Sequence, residues 1–220
     1  MYRSIAIDGP AGAGKSTIAK KVAAKLEFVY VDTGAMYRSM ALYFLRAQIN
    51  PDNITKIQEA CNDINVVIQY INGMQQVILN NENVTGLIRT EEVGNMASAI
   101  AVIPSVRMKL VELQRELANN ANVIMDGRDI GTYVLPDADL KIYLTASSSE
   151  RANRRYKELI EKGIQCDIDE IEADIIQRDK RDMNREFAPL RQSEDAILLD
   201  SSDMTIDQVV QTIIDAFSKK

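Results

Sequence analysis

Short apolar runs alternate along the chain with longer stretches in which apolar residues recur at helical spacing. Each run is four or five residues long, and together they predict buried strands at 4–7, 28–31, 122–125, 140–144 and 196–199. Apolar residues at spacings of three and four predict the helices that follow most of these runs. Strands that alternate with helices indicate a parallel sheet covered on both faces. The predicted fold is therefore α/β, with a doubly wound, five-stranded parallel sheet.

The middle of the chain interrupts this alternation. Two runs of alternating apolar and polar residues, at 64–70 and 77–79, flank Asn72-Gly73, a pair typical of a tight hairpin turn. A length of 220 residues is large for one domain and small for two. We therefore predict a single domain that departs from its core at about residues 60–100.

The residues between the first strand and the first helix carry the pattern G-x-x-x-x-G-K-[ST]. Glycine lets the backbone turn tightly around a phosphate and present its N–H groups to it. Lys15 then reaches the β- and γ-phosphates, Ser16 supplies a hydroxyl to Mg²⁺, and the start of the helix favours an anion. The sequence therefore predicts an ATP site formed by Gly9, Pro10, Ala11, Gly12, Ala13, Gly14, Lys15, Ser16 and Thr17.

Charge and composition narrow the range of partners. A net charge of −6 argues against the basic surface that nucleic-acid binding needs. The sequence has no histidine, which excludes an imidazole base and histidine-ligated metal sites. The two cysteines have neither disulfide nor metal spacing, and no long apolar segment indicates a membrane span or a secretion signal. We therefore expect a cytoplasmic protein with small-molecule partners, no nucleic-acid partner and no membrane contact.

Positive charge is concentrated towards the end of the chain, because seven of the fourteen arginines lie between Arg151 and Arg191. Three of them, Arg151, Arg154 and Arg155, follow a capping signal at a helix start. The positive end of the helix dipole is a poor place for cations unless an anion compensates them. These three arginines therefore indicate a bound phosphate.

A second charged group lies on one face of the next predicted helix. Spacings of three and four connect Ile168, Ile171, Ile175, Arg178, Asp182 and Arg185. The charged half of this face would bring two guanidinium groups and a carboxylate together, which suits phosphate and hydroxyl ligands. A solvated face with ordinary i,i+4 ion pairs is the alternative.

Two longer motifs, D-G-R-D-I-G-T at 126–132 and R-D-x-R-D-x-x-R-x-x-A-P-L at 178–190, are specific to few enzymes. Together with 7–16, 32–38, Ser98 and Val106-Arg107, they resemble the bacterial cytidylate kinases, which are nucleoside monophosphate kinases of the P-loop class. The resemblance extends nearly end to end and implies a sheet order of 2-3-1-4-5. It further implies a core of residues 1–59, 101–149 and 187–220, a monophosphate-binding insertion at about 60–100 and a helical lid at about 150–186.

The resemblance also implies roles for individual residues. The cytosine base would meet Ser98, Arg107 and Asp129, and the ribose would meet Arg178 and Asp182. The acceptor phosphate would be bound by Arg38, Arg128 and Arg185, beside Tyr37 and Thr33, and the donor phosphates by Arg151 and Arg154. Many relatives have serine where this chain has Thr33, and the hydroxyl is kept. Simple packing for Tyr37, a helix-surface position for Ser98 and a strand-end cap for Asp126 are the alternatives.

The predicted reaction is transfer of the γ-phosphoryl group of MgATP to CMP or dCMP, which gives the diphosphate and ADP. The acceptor oxygen is already ionised at neutral pH, so no general base is needed and catalysis consists of aligning and neutralising two anions. A lid would keep water out of the site. We expect a monomer, with Ser16 on the Mg²⁺ and a catalytic set of Lys15, Arg128, Arg151, Arg154 and Arg185.

Two other functions compete with this prediction. A P-loop kinase could act on another nucleoside monophosphate or on a small hydroxylated metabolite, and a hydroxyl acceptor would favour Asp8 or Asp32 as a base. A nucleotide-switch GTPase is the more distant alternative, but the sequence has no N-K-x-D motif for reading guanine.

Overall fold

The structure, a computed structural model, describes residues 2–71 and 73–220. In chain order its elements are β1 (Ser4–Asp8), α1 (Lys15–Leu26), β2 (Val29–Asp32), α2 (Thr33–Arg46), α3 (Ile54–Ala60), β3 (Val66–Ile71), β4 (Met74–Leu79), β5 (Glu82–Asn83), α4 (Glu91–Ile100), α5 (Pro104–Asn120), β6 (Val123–Gly127), a π-helical turn (Ile130–Val134), β7 (Leu140–Thr145), α6 (Ser148–Glu161), α7 (Ile168–Asn184), β8 (Ile197–Asp200) and α8 (Ile206–Phe217).

The chain packs as two compact units. The larger unit consists of the residues up to Tyr30 together with Ala121–Lys220, and the smaller unit is Val31–Asn120. Each unit is described by itself below. The functional division into core, insertion and lid stays a prediction, because compact packing does not reveal which segments move.

The main sheet has five strands in the order β2-β6-β1-β7-β8. The β1 strand pairs in parallel with both β6 and β7, so that Ile5 lies opposite Ile124 on one side and Leu140 on the other. Strand β8 continues the sheet in parallel beyond β7. Numbered among these five strands alone, the order is 2-3-1-4-5, which confirms the predicted α/β topology.

The central strand of this sheet is buried along most of its length, which explains its unbroken apolar run. Ile5 and Ile7 have no solvent exposure and join the core formed with Val22 of α1 and Val210 of α8. A parallel strand covered by helices has no polar face and therefore lacks the alternation of a half-exposed strand. The sheet and its helices form the rigid base from which the loops at the strand ends project.

The smaller unit contains the predicted hairpin. Strands β3 and β4 are antiparallel with Val66 opposite Leu79 and Ile71 opposite Met74, so a two-residue turn connects them. Gly73 has a φ of 74°, which the turn requires and which glycine adopts without a steric penalty. The other residue of the predicted turn, Asn72, lies outside the described residues. The pairing confirms the hairpin prediction.

The described part of the chain, residues 2–71 and 73–220, contains no helix that is long and apolar enough to cross a membrane.

Candidate active site

The loop between β1 and α1 has the geometry of a phosphate cradle. A Cβ at Gly9 would collide with the main-chain carbonyl of Leu144 in β7, so only glycine lets the loop leave the sheet here. Gly14 adopts a φ of 84° where α1 begins, which opens the helix N-terminus towards the loop. Lys15 is buried, and its Nζ donates to the carbonyl oxygen of Pro10 at 2.7 Å. The lysine therefore lies across the loop that the sequence predicted to bind ATP.

The charge of Lys15 is held in an unfavourable environment. Burial lowers its pKa well below the usual value, and the nearby positive charge of Arg128 lowers it further. The carboxylates of Asp126 and Asp8 oppose this effect without reversing it. Because an added anion would favour the protonated amine, binding of a phosphate and protonation of Lys15 support each other.

Ser16 points at a carboxylate that ends the neighbouring strand. Its Oγ donates to Oδ2 of Asp126 at 2.8 Å, and the hydroxyl of Tyr30 donates to Oδ1 of the same group at 2.9 Å. Asp126 is thus oriented towards the first turn of α1 and does more than cap the end of β6. Within residues 2–71 and 73–220, no group of three or more acidic, histidine or cysteine side chains could hold a metal alone. A hydroxyl and a carboxylate are hard oxygen ligands that fit Mg²⁺, which usually takes its other ligands from water and substrate phosphates.

Asp8 fixes the loop that follows β6. Its two carboxylate oxygens accept from the main-chain N–H groups of Ile130 and Gly131 at 2.8 and 2.7 Å. Burial raises the pKa of Asp8 to about 6, even though both N–H donors act in the opposite direction. These bonds hold the start of the π-helical turn, a distortion often found at functional sites, directly after Asp129.

Arg128 and Asp182 form an ion pair between this loop and α7. Arg128 Nε donates to Asp182 Oδ2 at 2.7 Å. Burial acts to lower the pKa of Arg128, but the nearby carboxylates, Asp182 foremost, together outweigh burial and raise it. Burial acts to raise the pKa of Asp182, yet the surrounding arginines, Arg128 foremost, together lower it. Both groups therefore stay charged near neutral pH.

A second ion pair joins Arg185 to Asp129. Arg185 Nη2 donates to Asp129 Oδ1 at 3.0 Å, and both side chains are buried. Arg185 Nε also donates to the carbonyl of Ala188 at 2.6 Å, where the backbone has a φ of 47°. A left-handed conformation is unfavourable for alanine, so the surrounding contacts must hold this turn in place. The result is a guanidinium fixed on two sides.

The predicted charged face of α7 differs from the structure at Arg178 and at its C-terminal end. Arg178 is exposed, whereas the next residue, Asp179, is buried and follows the buried Ile175 by one helical turn. The helix ends at Asn184, and Arg185 lies just beyond it in an extended conformation. The helical interpretation of the whole six-residue face was therefore wrong at its C-terminal end, although Asp182 and Arg185 do lie near the loop after β6 through their ion pairs.

The three arginines at the start of α6 have protein partners. Arg151 pairs with Asp179 at 2.7 Å, Arg154 with Glu150 at 3.0 Å and Arg155 with Glu158 at 2.9 Å. Arg154 also donates to the carbonyl of Ser201 at 2.7 Å. Each of the three arginines therefore has an acidic neighbour that compensates its charge. The helix dipole alone does not indicate a bound phosphate here. The position of Arg151 and Arg154 beside the loop at Gly12 and Gly14 is a separate fact that still favours donor-phosphate contacts.

In the smaller unit, the start of α2 combines one carboxylate with two arginines. Asp32 caps the helix by accepting from the N–H of Ala35 at 2.8 Å. Its Oδ2 also accepts from Arg38 Nη2 at 3.1 Å and from Arg89 Nη2 at 3.4 Å. Gly34 leaves room for the Arg38 guanidinium, because a Cβ there would lie 3.0 Å from Nη1. Thr33, the first residue of the helix, is buried beside this group.

The other predicted ligand residues of the smaller unit lie on α2, α4 and α5. Arg107 is almost completely buried, donates to the carbonyl of Ala101 at 3.2 Å and lies over the ring of Tyr37 at 5.7 Å. This places Tyr37 in a cation–π contact, so that its ring does more than fill space. Ser98 is half-buried on α4. The smaller unit thus holds Thr33, Tyr37, Arg38, Ser98 and Arg107, and the larger unit holds the remaining predicted site residues.

Comparison with known proteins identifies the family. A family model described as cytidylate kinase matches residues 5–219. The chain belongs to the cytidylate kinase family. It is 52% identical to a cytidylate kinase of Alkaliphilus metalliredigens over 219 residues, which cover 100% of this chain and 98% of that protein. It is 53% identical to a cytidylate kinase of Desulforamulus reducens, with coverage of 97% and 96%. Family membership confirms the resemblance drawn from the sequence motifs.

Solved structures support the fold independently of close sequence similarity. An uncharacterised protein from Eubacterium ventriosum superposes with a TM-score of 0.57 at 12% identity, covering 99% of each chain. A shikimate kinase from Bacteroides thetaiotaomicron gives a TM-score of 0.50 at 16% identity and covers 98% of each chain. At these identities the likeness shows a shared α/β fold and nothing about the substrate.

Two residues that organise the site had no predicted binding role. Asp179 stands inside the R-D-x-R-D motif, but the predicted helical face passed through Arg178 instead. The predicted face stepped three residues from Ile175 to Arg178, whereas a step of four would have reached Asp179. The contact of Asp8 with the loop after β6 was not predicted, because its partners Ile130 and Gly131 are more than 120 residues away along the chain.

Proposed function

We propose that the chain catalyses transfer of the γ-phosphoryl group of MgATP to CMP or dCMP, with ADP and the nucleoside diphosphate as products. The observation that carries the proposal is the buried Lys15 on the phosphate cradle, next to the charged Arg128 at the end of β6. Membership of the cytidylate kinase family supports cytosine as the base of the acceptor. Asp126 and Ser16 would hold Mg²⁺, which would neutralise charge on the donor phosphates.

The proposed chemistry needs alignment and neutralisation and no proton transfer. An acceptor phosphate oxygen is already ionised at neutral pH, and the histidine-free sequence offers no imidazole base. Arg128 supplies positive charge that is fixed before substrate arrives, and a bound phosphate would favour the charged form of Lys15. Arg185, Arg151 and Arg154 complete the proposed catalytic set.

The phosphate of the acceptor would bind arginines that form ion pairs in the larger unit. We propose that the CMP phosphate binds Arg128 and Arg185, with Arg38 of the smaller unit as a third ligand beside Tyr37 and Thr33. The ribose would contact Arg178 and Asp182. These guanidinium groups suit the task because they form paired hydrogen bonds to phosphate oxygens.

Base recognition is proposed to depend on Asp129, Arg107 and Ser98. Cytosine offers an amino donor at C4 and an acceptor at N3, and uracil presents the opposite pattern. A carboxylate at Asp129 can accept from the cytosine amino group but faces lone pairs on uracil O4, and Arg107 can donate to N3 only when N3 carries no hydrogen. UMP would therefore leave polar groups without hydrogen bonds, at a cost of about 1–3 kcal/mol each.

A panel of nucleoside monophosphates tests the proposal directly. We expect ADP release with CMP and dCMP at a kcat/KM at least about a hundredfold above that with UMP or AMP, on the scale of two mispaired polar groups. A small hydroxylated acceptor such as shikimate belongs in the same panel. Equal or faster turnover of AMP, UMP or the hydroxylated compound would replace the cytidylate assignment with that of another P-loop kinase.

A further inference from the structure

Asp179 is a buried carboxylate of α7 for which the proposed reaction has no use. Its Oδ1 accepts from the main-chain N–H of Ala11, in the phosphate-binding loop, at 3.2 Å. Its Oδ2 lies 2.7 Å from Nη1 of Arg151 on α6. The two side chains are only 11% and 7% exposed, so this contact is shielded from water.

Arg151 contacts the same loop residue, Ala11. Its Nη1 donates to the carbonyl oxygen of Ala11 at 2.8 Å, and its Nε donates to the carbonyl of Ala146 at 2.9 Å. Both main-chain polar groups of Ala11 are thus held, the N–H by Asp179 and the carbonyl by Arg151. The absence of a side chain at Gly12 permits this approach, because a Cβ there would lie 3.3 Å from Cβ of Arg151.

We propose that Asp179 and Arg151 form a clamp on Ala11 that keeps the phosphate-binding loop in its ATP-binding conformation, with Asp179 as the positioning residue. The inference rests on the proposed function for the ATP site but does not depend on the identity of the acceptor. Two donor groups of Arg151, Nε and Nη1, are committed to main-chain carbonyls and to Asp179. The guanidinium therefore acts from a fixed place, and the loop is tied to α6 and α7 at a single residue.

The clamp has a specific consequence for substrate binding. Removal of the carboxylate charge leaves Arg151 buried without its counterion, so the guanidinium and the loop both lose a fixed position. The donor nucleotide binds the loop, whereas the acceptor binds elsewhere in the proposed site. Loss of the clamp should therefore weaken ATP and ADP binding far more than CMP binding.

The test uses Asp179→Asn, which keeps the shape and one acceptor oxygen but removes the charge. The matched control is Glu172→Gln, because Ser148 Oγ of α6 donates to Glu172 Oε1 of α7 at 2.5 Å and this contact does not touch the loop. Calorimetry with MgADP, steady-state KM values for ATP and CMP, and amide hydrogen exchange over residues 9–14 are measured on the full chain.

For Asp179→Asn we expect the Kd for MgADP and the KM for ATP to rise about tenfold, the scale of one charged hydrogen bond. The KM for CMP should change less than twofold, and the amides of Ala11 and Gly12 should exchange faster in the absence of nucleotide. Glu172→Gln should leave all of these values unchanged. Asp179→Glu, which restores the charge, should recover part of the MgADP affinity.

Three outcomes would overturn the clamp. They are an unchanged MgADP affinity in Asp179→Asn, an equal loss in Glu172→Gln, and a rise in KM for CMP as large as that for ATP. If Asp179→Asn does not fold, Arg151→Lys is measured by amide exchange at Ala11 and Gly12 without nucleotide, because this readout reports the clamp apart from the proposed contact of Arg151 with the donor phosphates. Wild-type protein that binds MgADP yet does not phosphorylate CMP would contradict the proposed function and leave the clamp intact.

Discussion

The two units hold their arginines in different ways. In the larger unit, Arg128 pairs with Asp182 and Arg185 pairs with Asp129, so each guanidinium has a carboxylate of its own in a protected place. In the smaller unit, Arg38 and the largely exposed Arg89 share the single carboxylate of Asp32.

This difference implies two modes of anion binding. In the larger unit each of these guanidinium groups already faces a carboxylate, so an anion that binds there would compete with that carboxylate or use the remaining N–H groups. At the start of α2, two positive charges face one negative charge, and the positive end of the helix dipole adds to this excess of positive charge. An anion can bind there without displacing the carboxylate.

The largest expected effect concerns Lys15, which is buried near several carboxylates of the larger unit. Lys15→Ala should lower kcat by a factor of about 10² to 10³ or more, the scale for loss of one fixed electrostatic group. Lys25→Ala, at an exposed position of the same helix, is the matched control. Circular dichroism should show both variants folded. Turnover near that of the wild type in Lys15→Ala would contradict the ATP-site assignment.

The difference in charge balance between the two units is tested by removing one carboxylate from each unit. Asp182→Asn should lower the free energy of unfolding by about 3 kcal/mol, because it leaves Arg128 in a largely buried place without its counterion. Asp32→Asn should cost less, about 1 kcal/mol, because asparagine still caps α2 and one of the two arginines that it releases, Arg89, is largely exposed to water. Urea unfolding measures both, with the exposed Asp174→Asn as control. Equal losses would show that the two units do not differ in charge balance.

Asp8 is a buried carboxyl group of the larger unit, and its burial makes the stability of the protein depend on pH. Its pKa rises from 3.8 to about 6 on folding, so the folded protein binds this proton more tightly and the stabilisation is lost as pH increases through 6. Between pH 4.5 and pH 7 this loss amounts to about 2 kcal/mol.

Asp8→Asn does not titrate and should lack this dependence. The wild-type minus variant difference in free energy of unfolding should therefore fall by about 2 kcal/mol between pH 4.5 and pH 7. Urea titrations at the two pH values give the difference directly, and contributions of carboxylates that do not interact with Asp8 cancel in it. A constant difference would show that burial does not govern this carboxyl group.

The smallest expected effect concerns base choice at Asp129. Asp129→Asn should narrow the CMP-to-UMP ratio of kcat/KM about tenfold, mostly through weaker CMP use, because an amide can turn either an acceptor or a donor to the base. A ratio is insensitive to a general loss of active protein, which matters because Arg185 also loses a charged partner. An unchanged ratio would mean that the base is recognised by other residues.

Local features of the sequence were sufficient for much of this protein. The strand before Gly9 and the helix after Gly14 each depend on residues a few positions apart. Propensity and short-range hydrogen bonds therefore specify them, and the structure agrees. The motif from Asp126 to Thr132 and the one from Arg178 to Leu190 likewise identified the family before any contact was known.

Only the tertiary structure decided which charges meet. Periodicity placed Arg178 on the inward face of α7, whereas packing buried Asp179 and paired it with Arg151. At the start of α6, Arg154 and Arg155 pair with Glu150 and Glu158 of the same helix. Only Arg151 takes its carboxylate, Asp179, from another helix. Asp8 received its partners from a loop more than 120 residues away. A guanidinium can pair with any carboxylate of suitable geometry, so sequence alone identifies the charged groups, and the fold selects the partners by bringing distant segments within hydrogen-bond distance while excluding water.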